Sequence, residues 1–347
     1  MSLVINNLQI DLDMKIMSEL SKIDRFDATW SSIEKREGAT LKQLKSIATV
    51  KSVGASTRIE GSKMTDDEVS VLIENMNISP FEERDQQEVV GYFETLDTIT
   101  ENYAAIGITE SQIKSLHNLL MKHSTKDAWH KGEYKQVNNA VEANLPDGTK
   151  QTIFKTTEPG LETQDAMIRL IEWYNSDLET LPLVKDALFV YEFLSIHPFQ
   201  DGNGRLSRLL GSLLLLKNGY TWIQYVSFEH EIENRKSEYY KELIDAQKNR
   251  PGENITKWLT FFINCLNNMQ SKLLLKLAES RQASESLTQR EQRINFYIHN
   301  HAGCSSGDIS NKLGIPLPTV KKTLVGLLNK KLITKEGVGR ATGYYSL

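Results

Sequence analysis

The sequence predicts a mainly α-helical protein with one β-hairpin on its surface and a small basic C-terminal unit. Three observations carry that expectation. Apolar residues recur at helical spacing over most of the chain. Strand-like alternation is confined to one stretch, residues 133–157. Residues 288–347 differ in charge from what precedes them. Nine lysines and arginines face three acids there, whereas the whole 347-residue chain has a net charge of −4. A surplus of six basic groups at one end leaves the remainder acidic, and such asymmetry suggests separate partners for separate domains.

A chain of this length can bury a sizeable core and divides into two or three domains. The expected segments are an N-terminal helical segment over 1–84, a central helical domain over 85–277, a polar linker over 278–287 and the basic unit over 288–347. Cys265 and Cys304 are the only cysteines. They make neither a disulfide framework nor a zinc pair, which favours a reducing, cytoplasmic setting. The N-terminus lacks a basic start followed by an apolar core, so no signal peptide is expected. Leu213–Leu216 is apolar but ends at Lys217, too short a run to span a bilayer, and no membrane partner is expected.

The individual elements follow from spacing. Leu41, Leu44, Ile47, Ala48 and Lys51 step by three and four, as one helix face does. Ile113, Leu116 and Leu120 repeat the pattern, as do Ile168, Ile171 and Trp173. Pro146-Asp147-Gly148 supplies a turn for the hairpin, because proline fixes one dihedral and glycine permits the positive one. Lys185–Ile196 reads as a buried helix. Pro198 opposes its continuation through His197, since the residue before proline avoids the helical region. Gly202-Asn203-Gly204 then opens a second helix, with Leu206, Leu209, Leu210, Leu213 and Leu214 as its apolar stripe. Arg205 and Arg208 share a face about 120° from the centre of that stripe, at ~100° per residue. In the basic unit, helices are expected over Arg290–His301, Ser305–Leu313 and Pro316–Lys331, with a small hairpin over Leu332–Ser346.

The run from His197 to Arg208 concentrates phosphate-handling groups. Backbone amides at a glycine-led helix start attract anions. Two arginines add forked donors for phosphate oxygens. Asp201 is placed to hold a magnesium ion. A neutral His197 can accept a proton from an attacking hydroxyl. The run is not a Walker A loop, since no Gly-Lys-Ser/Thr follows at the required spacing. Nor is it a dinucleotide fingerprint, because Ser207 stands where the third glycine belongs.

The twelve residues His-Pro-Phe-Gln-Asp-Gly-Asn-Gly-Arg-Leu-Ser-Arg resemble the signature of the Fic family, H-x-F-x-[D/E]-G-N-G-R-x-x-R, without departure. The resemblance implies a Fic-type helical bundle with a β-hairpin flap. It implies a protein adenylyltransferase that moves AMP from ATP to a Ser, Thr or Tyr hydroxyl of a target protein. His197 would be the general base and Asp201 the magnesium ligand. Gly202, Asn203, Gly204, Arg205, Leu206, Ser207 and Arg208 would form the ATP-binding run. Glu238-Tyr239-Tyr240-Lys241 resembles the segment that encloses adenine, with Tyr240 as the contact. Ser56-Thr57-Arg58-Ile59-Glu60-Gly61 resembles the family's inhibitory motif, [S/T]-x-x-x-E-[G/N]. Glu60, with Ser56 opening the motif, would then pair with Arg208 and occupy the γ-phosphate position. The plain alternative is a helix end closed by Gly61. Gly132-Glu133-Tyr134-Lys135 resembles the entry to the flap, where arginine is the usual fourth residue, so Lys135 departs from the pattern.

The basic unit resembles a winged helix, with Lys321 and Lys322 facing DNA phosphates or, alternatively, a protein partner. A homodimer is a family-level expectation. The alternative functions are removal of AMP or transfer of another phosphate-containing group, and DNA-binding regulation with the Fic core as a nucleotide sensor. His117, His123, His130, His230, His299 and His301 lack metal spacing and are expected in core or surface roles.

Overall fold

Helices carry most of the chain, as the periodicity predicts, in a computed structural model that describes residues 8–76, 81–144, 150–285, 287–330, 332–337, 339 and 342–346. It divides into two compact units, Met1–Ser32 with Lys45–Ser271, and Ile33–Leu44 with Lys272–Leu347. Among the described residues no helix is long and apolar enough to cross a membrane.

Helix α1 (Met14–Ile59) starts at Asp13, whose carboxylate accepts from the Ile16 amide at 2.8 Å. It loses helical geometry at Glu37, beside Gly38, and regains it. The predicted helix around 41–54 is therefore part of a longer one, which carries Ser56 inside it and ends with Glu60 as its C-cap. Gly61, at φ +108°, turns the chain out of the helix.

In the first unit α2 (Asp66–Glu74) begins at a Thr65 capping box. Then come α3 (Arg84–Asn102), α4 (Glu110–Leu120), the hairpin strands β1 (Ala140–Asn144) and β2 (Lys150–Lys155), and α5 (Leu161–Ser176). The central pair is α6 (Pro182–Ile196) and α7 (Asn203–Lys217), followed by α8 (Phe228–Asn234), α9 (Lys236–Gln247) and the start of α10 (Thr256–Glu285), whose residues from Lys272 on belong to the second unit. From Asp186 to Ile196 every side chain of α6 is buried, as is the whole leucine stripe of α7. Both helices are apolar nearly all round, so each must be enclosed by neighbours. The loop between them, which holds the predicted chemistry, is thus anchored at both ends in the core. One polar group lies deep in this core. The Asp186 carboxyl accepts from Tyr174 Oη at 3.0 Å and from Asn218 Nδ2 at 2.9 Å, and burial pushes its pKa up to about 7.

β1 and β2 pair antiparallel, Ala140 opposite Lys155 and Asn144 opposite Lys150, with a bulge between Val141 and Glu142. This is the hairpin expected within 133–157. Its predicted turn, Pro146-Asp147-Gly148, lies outside the described residues.

The second unit contains α11 (Gln289–Asn300), α12 (Ser306–Leu313), α13 (Leu317–Asn329) and the antiparallel pair β3 (Ile333–Glu336) and β4 (Gly343–Ser346). Its core gathers Ile294, Ile298, Ile309, Val320, Leu324 and Leu327. Lys321 and Lys322 are exposed on α13. Within this unit Arg281 reaches Glu37 at 2.7 Å.

The polar stretch expected as a linker is different in the structure: residues 278–285 are the last turns of α10. A polar run without glycine or proline has no local reason to leave the helix, and its glutamate, arginine, glutamine and alanine are good helix formers.

Candidate active site

His197 is the C-cap of α6 and sits in the left-handed region, φ 54°, ψ 59°, the only non-glycine residue at positive φ among those described. Proline at 198 disfavours the ordinary helical alternative, so α6 ends at His197, whose ring keeps a hydrogen bond to the Leu194 backbone. Gly202, also left-handed at φ +79°, is the N-cap of α7. A side chain on Gly202 would meet Met121 Sδ at 3.1 Å and His117 Nε2 at 3.4 Å, so the turn needs glycine for conformation and for space. Asn203 closes the loop on itself. Its Oδ1 accepts from the Phe199 amide at 2.9 Å and its Nδ2 donates to Phe199 O at 2.7 Å.

The first intrahelical bond of α7 runs from the Leu206 amide to Gly202 O at 2.9 Å, and no side chain caps the helix. The amides of Asn203, Gly204 and Arg205 therefore precede the helical ladder at the positive end of the dipole. Arg208 is 2 % exposed. Its Nη2 donates to Glu60 Oε1 at 2.7 Å and to Ser56 O at 3.0 Å, and its Nε donates to Ser56 Oγ at 2.8 Å. Burial opposes the Arg208 charge most strongly, but Glu60, with Tyr239, Tyr92 and Tyr240, together outweigh that cost and the guanidinium is held above its ordinary value. The Glu60 carboxylate also lies against Gly204: a Cβ there would collide with Glu60 Oε1. Glu60 therefore rests on the first turn of α7 as an anion would.

Arg205, likewise 2 % exposed, faces Glu88 Oε2 at 3.3 Å and Asp201 Oδ1 at 3.5 Å. Asp201 also accepts from the Gly202 amide at 2.6 Å and lies 3.7 Å from Arg84. Burial works to raise its pKa, but Arg205, the Gly202 amide and Arg84 bring it below the usual carboxylate value, so it is ionised. It is a single carboxylate: no cluster of three His, Cys, Asp or Glu suited to a metal occurs among the described residues. One carboxylate fits magnesium only when phosphates and water complete the octahedron.

Burial, then the nearby Lys135 cation, bring the His197 pKa down to about 4. The imidazole is neutral at physiological pH and free to take a proton. Tyr240 lies on α9, where Glu60 and Arg208 act on its hydroxyl, and burial raises its pKa above the ordinary range. Its neighbour Tyr239 is more deeply placed, 3 % exposed, and hydrogen-bonds Ser207 and Arg208.

Two residues of the proposed ATP-binding run do not face the cradle. Leu206 is fully buried in the core with its amide spent on Gly202 O. Ser207 is buried and donates its hydroxyl to Gly204 O at 2.7 Å.

His117, assigned only a core role from sequence, positions the loop. Its ring stacks on Phe199 with centroids 3.8 Å apart. Gly132 N donates to its Nδ1 at 3.0 Å, so Nε2 carries the hydrogen and donates to Asp201 O at 3.0 Å. Burial holds its pKa at about 4, which keeps that tautomer. Arg58 was also passed over. It grips Glu233 with two bonds of 2.6 and 3.1 Å and reaches Asp66 at 2.9 Å, while Lys236 Nζ donates to Ile59 O at 2.6 Å. Together they fasten the α1 terminus that carries Glu60. Neither residue has a local sequence signal, because the decisive partners, Phe199 and Asp201 for His117 and Glu233 for Arg58, are distant along the chain.

The fold and site define a helical domain with a built anion cradle, a neutral imidazole beside it and an internal carboxylate lying in the cradle. Residues 107–215 match the Fic/DOC family model, and the chain carries a Fic domain. It is 32 % identical over 215 residues to the protein adenylyltransferase Fic of Drosophila erecta, covering 60 % of this chain and 40 % of that protein. It is 27 % identical over 306 residues to the protein of that name from Drosophila sechellia, covering 84 % of this chain and 58 % of the relative. The chain thus spans roughly half the length of these curated relatives. In fold it is similar to the crystal structure of a Fic family protein from Desulfovibrio desulfuricans G20, with TM-score 0.66, 22 % identity and 98 % of both chains covered.

Proposed function

We propose that the Fic domain transfers AMP from ATP to a hydroxyl of a target protein and that Glu60 restrains it. The observation that carries the reading is the neutral His197 imidazole at the left-handed end of α6, in the loop that leads into the anion-binding start of α7. The triphosphate would lie on the amides of Asn203, Gly204 and Arg205, at the turn opened by Gly202, with the Arg205 and Arg208 side chains on its outer phosphates and Tyr240 against the base. His197 accepts the proton of the attacking hydroxyl. The hydroxyl oxygen bonds the α-phosphorus, the bond from that phosphorus to the bridging oxygen breaks, and pyrophosphate leaves. Asp201 would hold magnesium with the phosphates, where the ion supplies neutralisation of developing charge.

Restraint by Glu60 is supported by its bond to Arg208 and its seat on Gly204, because the carboxylate and an outer phosphate need the same donors. The test is incubation of wild type, His197→Ala and Glu60→Gly with ATP and magnesium, followed by intact-mass measurement. The expected result is addition of AMP, greatest in Glu60→Gly and lost in His197→Ala. No added mass in any variant would sink the reading. A second reading assigns Glu60 to the reverse step, removal of AMP from the target. Its side chain is 32 % exposed and so within reach of water. An AMP-modified target that loses AMP with wild type but not with Glu60→Gly would favour it.

For residues 288–347 we infer a winged helix that binds DNA phosphates through Lys321 and Lys322, both exposed on α13, Lys322 opposite the buried Val320, Leu324 and Leu327 and Lys321 on the flank of that stripe. Retardation of duplex DNA that weakens with salt and with Lys321→Ala would support it. Retention of a protein instead of DNA would replace it.

A further inference from the structure

The root of the hairpin is fastened to the loop that presents His197, and the fastening depends on two residues outside the signature. Lys135 is 1 % exposed. All three hydrogens of its ammonium are used: Nζ donates to Asn139 Oδ1 at 2.9 Å, Thr156 Oγ1 at 2.8 Å and Ile196 O at 3.2 Å. Its backbone amide donates to Pro198 O at 2.8 Å. Asn139 Nδ2 donates to Phe199 O at 2.8 Å and lies 3.5 Å from His197 O. Thr157 Oγ1 completes the set on Ile196 O at 2.9 Å. The carbonyls of residues 196 through 199 are thus all engaged by side chains or backbone from the two feet of the hairpin. Asn139 immediately precedes β1 and Thr156 immediately follows β2.

A left-handed histidine persists only where its surroundings over-determine it. Here contacts from the feet of the hairpin join those that α4, α6 and α7 make to the same loop. We propose that Lys135 and Asn139 are positioning residues that fix the His197 backbone and hold the hairpin in register with it, so that a segment paired along the hairpin meets the imidazole at a set distance. The inference rests on the transfer reading above. A buried ammonium surrounded by three neutral oxygens is costly to build. The three acceptors surround one point, an arrangement that suits the radiating donors of lysine and not a flat guanidinium. Burial brings the Lys135 pKa down to about 8, so the cation is still the main form at neutral pH. It also acts on His197. The charged groups facing that imidazole are Lys135 at the foot of the hairpin, Glu60 at the end of α1 and Asp201 in the loop; the first opposes imidazole protonation and the other two favour it.

The test uses full-length protein in a Glu60→Gly parent, with self-modification by labelled ATP as the readout. Asn139→Ala is expected to lower kcat about tenfold or more while the KM for ATP stays within about twofold, since the acceptor and base lose alignment but the nucleotide cradle is untouched. Lys135→Met is expected to do the same and to move the acid limb of the rate profile upward. Lys135→Arg, which keeps the charge, is expected to leave the limb in place. Unchanged kcat in Asn139→Ala, or loss of ATP affinity in step with kcat, overturns the proposal. Asn139→Ala removes no charge and decides the matter should Lys135→Met not fold. If the parent incorporates no AMP, the transfer reading fails by itself. The fastening is then judged by the NMR titration of His197, which shifts upward in Lys135→Met if the proposal holds and stays put if it does not.

Discussion

Arg208 Nη2 and Glu60 Oε1 are 2.7 Å apart although 148 residues separate them in sequence, and the arginine is 2 % exposed where the glutamate is 32 %. A buried cation thus depends on a carboxylate that water can reach. Removing the carboxylate strands the cation, and the loss is tempered by the partial exposure of the pair. Glu60→Gly is expected to be less stable without nucleotide by about 1–3 kcal/mol. ATP with magnesium is expected to raise its melting temperature more than that of wild type, because phosphate replaces the missing partner. Thermal melts with and without ATP check this. An equal shift in both proteins would contradict it.

The end of α1 is tied down by Arg58, not by Glu60 alone. Arg58→Ala removes two bonds to Glu233 and one to Asp66 while leaving the Glu60–Arg208 pair chemically intact. Transfer rates are expected in the order Glu60→Gly, Arg58→Ala, wild type. The intermediate variant should be several-fold above wild type, consistent with about 1 kcal/mol lost from a partly buried pair. A rate for Arg58→Ala equal to wild type would show that Glu60 needs no such support.

The base titrates unusually low. Protonated imidazole cannot accept a proton, so activity falls only as pH drops through the His197 pKa of about 4 rather than through the ordinary 6.5. Between pH 5 and 7 the rate of the Glu60→Gly protein is expected to vary by less than about twofold from this group. A steep fall centred near pH 6.5 would contradict the assignment.

Asp186 predicts a stability effect away from the site. Its folded pKa, about 7, lies above the unfolded value of 3.8, so the folded state holds a proton that the unfolded state has released between those values. The contribution is complete below pH 4 and is lost as pH rises through 7, at up to about 1.4 kcal/mol per pH unit. Asp186→Asn keeps the shape and removes the titration. Urea midpoints of wild type and variant between pH 4 and 8 check this; the wild-type curve should fall relative to that of the variant.

The central helices and the loop joining them were legible because their signals are local. Proline after His197, glycines at 202 and 204 and a leucine stripe all act within one or two turns. The Glu60–Arg208 pair was legible only through a resemblance, since nothing in the spacing of either segment points to the other. The roles of His117, Lys135, Asn139 and Arg58 were hidden for the same reason: each depends on partners brought near by folding. The polar run 278–285 was misjudged because composition alone does not distinguish a helix surface from a linker.

Gly204 has a consequence beyond the fit it provides. The bare backbone that lets the Glu60 carboxylate settle is the same bare backbone a phosphate would need. No substitution in that floor can exclude one anion and admit the other, so the strength of self-restraint is tuned through the residues that hold the end of α1 in place, Arg58, Glu233 and Lys236 among them. Divergent copies of such a chain are therefore free to vary at the residues that anchor Glu60, while residue 204 is held by both demands at once.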